Sequence, residues 1–296
     1  MHAISAVFRR LRRSALLRPR AFDIVVFGDE FSDWVKILAP GAPVWQGVAG
    51  VRSVSHAGDD WRPPRLCWPA SRRRLVLPLR EINTTATPAG CWGLAADEKA
   101  IRTFADKRRF ATYVRQQGLS HLAPEDYGSV ERANFPCVLK LTDRWGGNGV
   151  AVAVTRDDLE AKRNSPPWAG RPVVIQGFVD GPEYAAHGIC VRGRIVWHRA
   201  YAHETRTDRP IRVPSQEETT RPVALSAADL ADMERFLLPL HYDGPVNFDY
   251  KRGLSGAISV LEINPRLGGS LFRSRNAGDL RAALAAIIAH ARWREP

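Results

Sequence analysis

The 296-residue chain is poor in cysteine and has no long apolar run. Its four cysteines, Cys67, Cys91, Cys137 and Cys190, are scattered, with no CxxC pair and no metal-ligand spacing. That excludes a small disulfide scaffold, argues against zinc, and fits free thiols in a reducing compartment, so a cytoplasmic protein is expected. No stretch of about eighteen apolar residues is present, so no membrane-spanning helix is expected. Internal repeats are missing, and so is any recognised nucleic-acid-binding motif, so no nucleic-acid partner is expected. Acidic residues are in deficit, 31 against 43 lysines and arginines, for a formal charge of +12. Such a balance accompanies anionic partners or a merely arginine-heavy usage, and composition alone does not choose.

What is present is an ordinary globular composition, 45% hydrophobic, with enough chain for a substantial core or two domains. Residues 1–21 read as a basic N-terminal extension, with Val7, Phe8, Leu11 and Leu16 set among six arginines. They lack the apolar core of a signal peptide. A frayed or packed extension is expected, with peripheral contact to an anionic membrane as the alternative.

From Phe22 the pattern turns to FDIVVFG, a short β-branched run that predicts a buried parallel strand. Residues 22–96, with RRLVLPL and frequent Pro and Gly, read as an N-terminal α/β domain, and 97–296 as a second domain. ADEKAIRTFADKRRFATYVRQQGL predicts a helix on the spacing of Ile101, Phe104, Phe110, Val114 and Leu119, with Gly118 as its C-cap. FPCVLKL, VAVAV and PVVIQGF predict strands of a small lobe at about 133–180, with a helical stretch near Leu159. EYAAHGICV and RIVWHRAYA predict two more strands, and the polar segment from Tyr201 to Val223 a long exposed loop. A helix over 227–238, a strand pair GPVNFDY and AISVLEINPR joined by KRGLSG, and an alanine-rich helix over 280–292 complete the chain.

The strand pair carries the chemistry. Asp249 alternates with apolar Val246 and Phe248, and Glu262 and Asn264 alternate with Leu261 and Ile263, so the polar groups share a face. If the strands are antiparallel neighbours, two carboxylates and an amide oxygen converge as hard ligands for magnesium shared with phosphates, and Arg266 can meet phosphate too. Asp249 alone reads equally as a solvated strand residue. A carboxylate, an amide and a guanidinium at alternate positions before Gly268 and Gly269 are costly without ligands.

NFDY and VLEINPRLGGS together resemble the metal-binding end of the ATP-grasp superfamily, an acidic residue on one strand and E-x-N-x-R on the next. The resemblance covers roughly residues 97–278. It implies an α/β fold with α+β lobes, an N-terminal pre-ATP-grasp domain and two ATP-binding lobes. It also implies that Asp249, Glu262 and Asn264 bind magnesium, with manganese as a substitute, and that Arg266 steadies the transferred phosphate or acyl-phosphate. Lys140, followed by a turn of Gly146, Gly147 and Gly149, matches the family's phosphate lysine and glycine-rich loop. Glycines let backbone N–H groups approach phosphate, although a hairpin needs them in any case. Lys107 matches the family's first phosphate lysine, against the plain reading of a surface helix lysine. Gln176, Gly177, Phe178 and Val179 match the adenine-reading linker, and Glu183 the ribose contact; many members have glutamate where Gln176 stands.

The implied activity is ATP-dependent ligation, in which Lys140 and Arg266 serve a carboxylate phosphorylated to an acyl-phosphate and then attacked by an amine. The expected substrates are ATP and small-molecule or glycan carboxylates and amines. A small-molecule kinase on the same fold is the alternative, and a nucleotide-binding protein without turnover a third. Acceptor choice is expected in the loop 203–221 and at Ser270, Arg273 and Arg275, with His198 and His203 as candidates for proton removal; a solvated basic surface is the competing reading for the arginines.

Overall fold

The computed structural model describes residues 21–28, 32–61, 73–142, 144, 147–204, 211, 219–253 and 256–295. The basic extension, Cys67, Gly146 and most of the loop 205–218 lie outside the described residues.

Three sheets organise the described residues. The first contains β1 (Phe22–Phe27), β2 (Val51–Ala57), β3 (Arg74–Pro78), β4 (Cys91–Gly93) and β13 (Arg292–Arg294), in the order β13-β4-β3-β1-β2. Its first four strands are parallel; β13 returns antiparallel beside β4. Five of the six residues of FDIVVF are apolar because β1 is covered on both faces; the exception, Asp23, is half-buried and accepts from Arg52 Nε at 2.7 Å and Ser53 Oγ at 2.6 Å. Phe22, Ile24 and Val26 pack in one cluster with Leu280, Leu284 and Ile287, while Val25 and Phe27 pack in another with Ala57, Val76 and Cys91. Burial of each such large side chain stabilises by roughly 1.5–3 kcal/mol.

The second sheet runs β10-β9-β8-β11-β12, with β8 Tyr184–Val191, β9 Arg194–Glu204, β10 Thr219–Val223, β11 Gly244–Arg252 and β12 Ile258–Asn264, all antiparallel. Val246, Phe248 and Tyr250 of β11 face a core shared with Phe104, Phe110 and Phe236. The alternate positions Asn247, Asp249 and Lys251 face the other way. The third and smallest sheet is β6-β5-β7, from β5 Cys137–Leu141, β6 Val150–Ala153 and β7 Val173–Gly177.

The helices are α1 (Ser32–Ile37), α2 (Glu81–Thr85), α3 (Glu98–Ala105), α4 (Lys107–Gln116), α5 (Arg156–Arg163), α6 (Ala227–Leu237) and α7 (Ala277–His290). Three expectations need correction. The single helix predicted around residues 97–119 is two, broken at Asp106, which is extended (φ −107°, ψ 117°) and whose carboxylate caps the N–H groups of Arg108 and Arg109. A mid-segment aspartate competes with the helix for its own backbone donors and starts a new one. The polar segment after Tyr201 is strand at both ends, since Thr219–Val223 pairs with Ala200–Glu204. The closing helix spans Ala277–His290, and the residues after it form β13.

Candidate functional site

The antiparallel β11–β12 pair sets Asp249 directly opposite Glu262, and Asn247 opposite Asn264. Like charges facing across a ladder repel unless cations or hydrogen-bond donors accompany them. Both are present. Asn247 Nδ2 donates to Asp249 Oδ1 and Asn264 Nδ2 to Oδ2, each at 3.0 Å, and Lys107 Nζ lies 3.5 Å from Glu262 Oε1. Lys107, at the first position of α4, also donates to the Arg144 carbonyl at 2.6 Å. Two carboxylates and an amide on adjoining strands, with no enclosing cage, fit magnesium, which keeps part of its shell for water and phosphate oxygens. Among the described residues no group of three or more His, Cys, Asp and Glu side chains forms a separate metal centre.

One local irregularity widens this site. Pairing passes from Asp249–Glu262 to Tyr250–Val260, so Leu261 is an extra residue, a β-bulge on β12. A bulge re-aims side chains. Leu261 and Glu262 therefore both line one cleft, with Asp249 and Lys251 beside them.

The small sheet forms the opposite wall, through Val138, Lys140, Gly147 and Val150. Lys140 is half-buried, and its ammonium is pushed down to about 8 by loss of water; Lys107 and Lys251 lower it further, while Glu262 and Glu183 oppose them. A lysine crowded in this way gains from an anionic ligand that joins it. Gly149, with φ +70°, permits the turn before β6, since a Cβ there would stand 2.5 Å from Leu141 Cδ1.

Gly177, Phe178 and Val179 close the cleft where β7 leaves the small sheet, and Glu183 follows. Gln176 is buried, pairs with Val138 and Asp126, and does not line the cleft. Lys251, absent from the sequence-based set, is buried in the same region. Its Nζ donates to the Val179 carbonyl at 3.0 Å and sits 5.4 Å from the centre of the Phe178 ring. Burial lowers its pKa, and Glu183 and Asp180 counter that. Position 251 follows Asp249 by two on the same strand face, so alternation was the signal that marked it.

No family model matches the chain. The carbamoyl phosphate synthase large chain of Thermomicrobium roseum is 26% identical over 200 residues, a match covering 62% of this chain and 18% of that protein. Solved structures align over nearly the whole length. D-alanine–D-alanine ligase from Bacillus anthracis, complexed with ATP, superposes with a TM-score of 0.59 at 14% identity, over 91% of this chain and 96% of that one. The ATP-grasp ligase PsnB, complexed with minimal precursor, Mg and ADP, gives 0.59 at 17% identity over 90% and 97%. The L-amino acid ligase from Bacillus licheniformis gives 0.54 at 16% over 91% and 74%. The chain has the ATP-grasp fold.

On this ATP-grasp frame the remaining sequence candidates fall outside the cleft lining. Arg266 leaves β12 toward the first sheet, where its Nε meets Glu81 Oε1 at 3.0 Å and its guanidinium lies 5.5 Å from the Trp34 ring centre. Ser270 is buried: its hydroxyl is 2.6 Å from His187 Nε2, and its carbonyl accepts from Asn276 Nδ2 at 2.7 Å. Arg273 is half-buried and Arg275 exposed. His203, expected on a loop, is a buried strand residue opposite Thr220, and His198 is exposed on the face of β9 away from Asp249.

Proposed function

We propose that this chain is a magnesium- and ATP-dependent ligase that phosphorylates a carboxylate and joins it to an amine, releasing ADP and phosphate. The observation that carries the reading is the opposition of Asp249 and Glu262 beneath Lys107 and Lys140 in one cleft. Val138, Val150, Leu261 and Phe178 supply apolar walls for a base, the backbone of Gly177–Val179 its hydrogen-bonding edge, and Glu183 a partner for ribose hydroxyls. Lys140, Lys107 and the turn at Gly147 and Gly149 receive the phosphates.

Asp249, Glu262 and Asn264 would hold magnesium, which neutralises charge developing on the transferred phosphoryl group. Asn247 and Asn264 fix the Asp249 carboxylate, and Lys107 neutralises Glu262 until the metal-bound nucleotide arrives. Phosphoryl transfer demands little covalent chemistry from the protein, so orientation and charge are the contributions required of these residues. Arg266 steadies the acyl-phosphate from the side of the first lobe, residues 22–96, where Trp34 and Glu81 hold it.

The test is ADP release measured over pairs of carboxylates and amines, amino acids, hydroxy acids and sugar acids included, with magnesium or manganese. A ligated product with equimolar ADP supports the reading. A stable phosphorylated product with no ligation under any amine would replace it with a kinase.

A further inference from the structure

Among the described residues the cleft takes up little of the chain's excess positive charge, since Lys107, Lys140, Arg144 and Lys251 line it together with the carboxylates Glu183, Asp249 and Glu262. Cations gather instead around two recesses that share Arg108, the residue after Lys107. One recess lies between α3, α4 and the turn Leu238–Leu240, and carries Lys99, Arg108 and Arg109. The other lies between the start of α4 and the segment that follows α5, and carries Arg108, Arg163 and Arg171. Among the described residues no carboxylate lines either recess, although the chain has 31 acidic residues. Lys99, Arg108, Arg109 and Arg163 are exposed, and none of the four is in an ion pair among the described residues.

We propose that these joined recesses dock an acidic segment of a polypeptide. Arginine forks bind carboxylates bidentately, and the neutral lining of the first recess, Thr103, Thr112, Gln116 and Gln117, suits peptide amides, which need both donors and acceptors. Grooves that hold a single nucleic-acid strand combine positive charge with aromatic faces on which bases stack. The aromatics among the described lining residues are committed: Trp168 Nε1 donates to the Gly149 carbonyl at 3.0 Å, and Tyr113 is buried with its hydroxyl on the Phe236 carbonyl at 2.7 Å. A bilayer would need protruding apolar side chains, and the exposed large ones among the described residues, Ile82, Val154, Val196 and Trp293, line neither recess. The surface stands on its own charges, whatever reaction the cleft performs.

The experiment is fluorescence anisotropy of a labelled peptide of eight glutamates interspersed with glycine, titrated with the full chain at low and moderate salt. The Arg108→Glu/Arg109→Glu variant places acids in the first turn of α4, where the helix dipole favours them, so the fold is preserved and circular dichroism checks it. Lys36→Glu/Arg192→Glu makes the same change in net charge elsewhere. The expected result is saturable binding that salt weakens, lost by at least tenfold in the first variant and less than twofold in the second. Equal losses in both variants, or no binding by the wild type, overturn the proposal. So does tighter binding of a single-stranded RNA of equal charge, or of phosphatidylserine vesicles, that the first variant abolishes.

Discussion

Glu81 Oε1 stands 3.0 Å from Arg266 Nε, joining a short helix after β3 to the residue two places beyond Asn264. The same guanidinium lies over Trp34, which stacks on Phe272 at 4.2 Å with planes 4° apart. The ion pair, the Trp34 ring and a hydrogen bond from Nη1 to the Leu267 carbonyl at 3.1 Å hold this arginine. Glu81→Gln keeps the shape and removes the charge. In the proposed ligase it should lower kcat about tenfold, within the hundredfold that a misplaced catalytic group costs, and leave KM for ATP within twofold. An unchanged kcat would remove Glu81 from the positioning of Arg266.

Lys251 is predicted to tie the nucleotide to the linker, because its ammonium is buried beside Phe178 and the Val179 carbonyl. Lys251→Met retains the apolar stem and loses a charged hydrogen bond of roughly 1.5–3 kcal/mol. Isothermal titration with ATP and magnesium should show an affinity at least about tenfold weaker. Equal affinities would place Lys251 in a structural role alone.

Gly268 separates Arg266 from the buried Ser270, and a Cβ there would stand 2.6 Å from Asn247 Oδ1 and also press on the His187 ring. Gly268→Ala should therefore destabilise by about 1–3 kcal/mol, as overpacking does elsewhere, and disturb Asn247, which holds Asp249. Urea melts, with metal affinity measured in parallel, check both effects. A variant as stable as the wild type would show that the turn can move away.

His187 is buried and its pKa is pushed down to about 3 by loss of water, with His203 and Arg266 opposing its charged form. An unfolded histidine titrates near 6.5, so below about pH 6.5 the unfolded chain binds a proton that the folded chain refuses. Stability should then fall as pH drops, by up to about 1.4 kcal/mol per pH unit, while above about 6.5 this group has no effect. Urea unfolding between pH 7.5 and 5 should show a shallower decline in His187→Gln than in the wild type. Parallel declines would contradict the assignment.

Much of the frame was legible in the sequence because burial repeats with the period of the element. FDIVVF, covered on both faces, and the alternation through Asn247, Asp249 and Lys251 are direct imprints of sheet geometry. Asp106 was missed, although an acid placed to cap the helix that follows it was the signal for the break. Other features depend on distant partners. The β-bulge at Leu261 exists only in the register between β11 and β12, and polar Thr219–Val223 is a strand because β9 offers it an edge. Ser270 looked like a substrate contact in a glycine-rich turn, yet His187, from another strand, draws it into the interior. Glu81 carried no local sign of its pairing with Arg266.

Removing one of the facing carboxylates, by Glu262→Ala, is the sharpest test of ATP-dependent chemistry in this cleft. The measurement is magnesium-dependent ADP release by the purified variant beside the wild type, with circular dichroism to verify the fold. Release should fall to background while the spectrum is unchanged. Wild-type rates in a folded Glu262→Ala protein would contradict it.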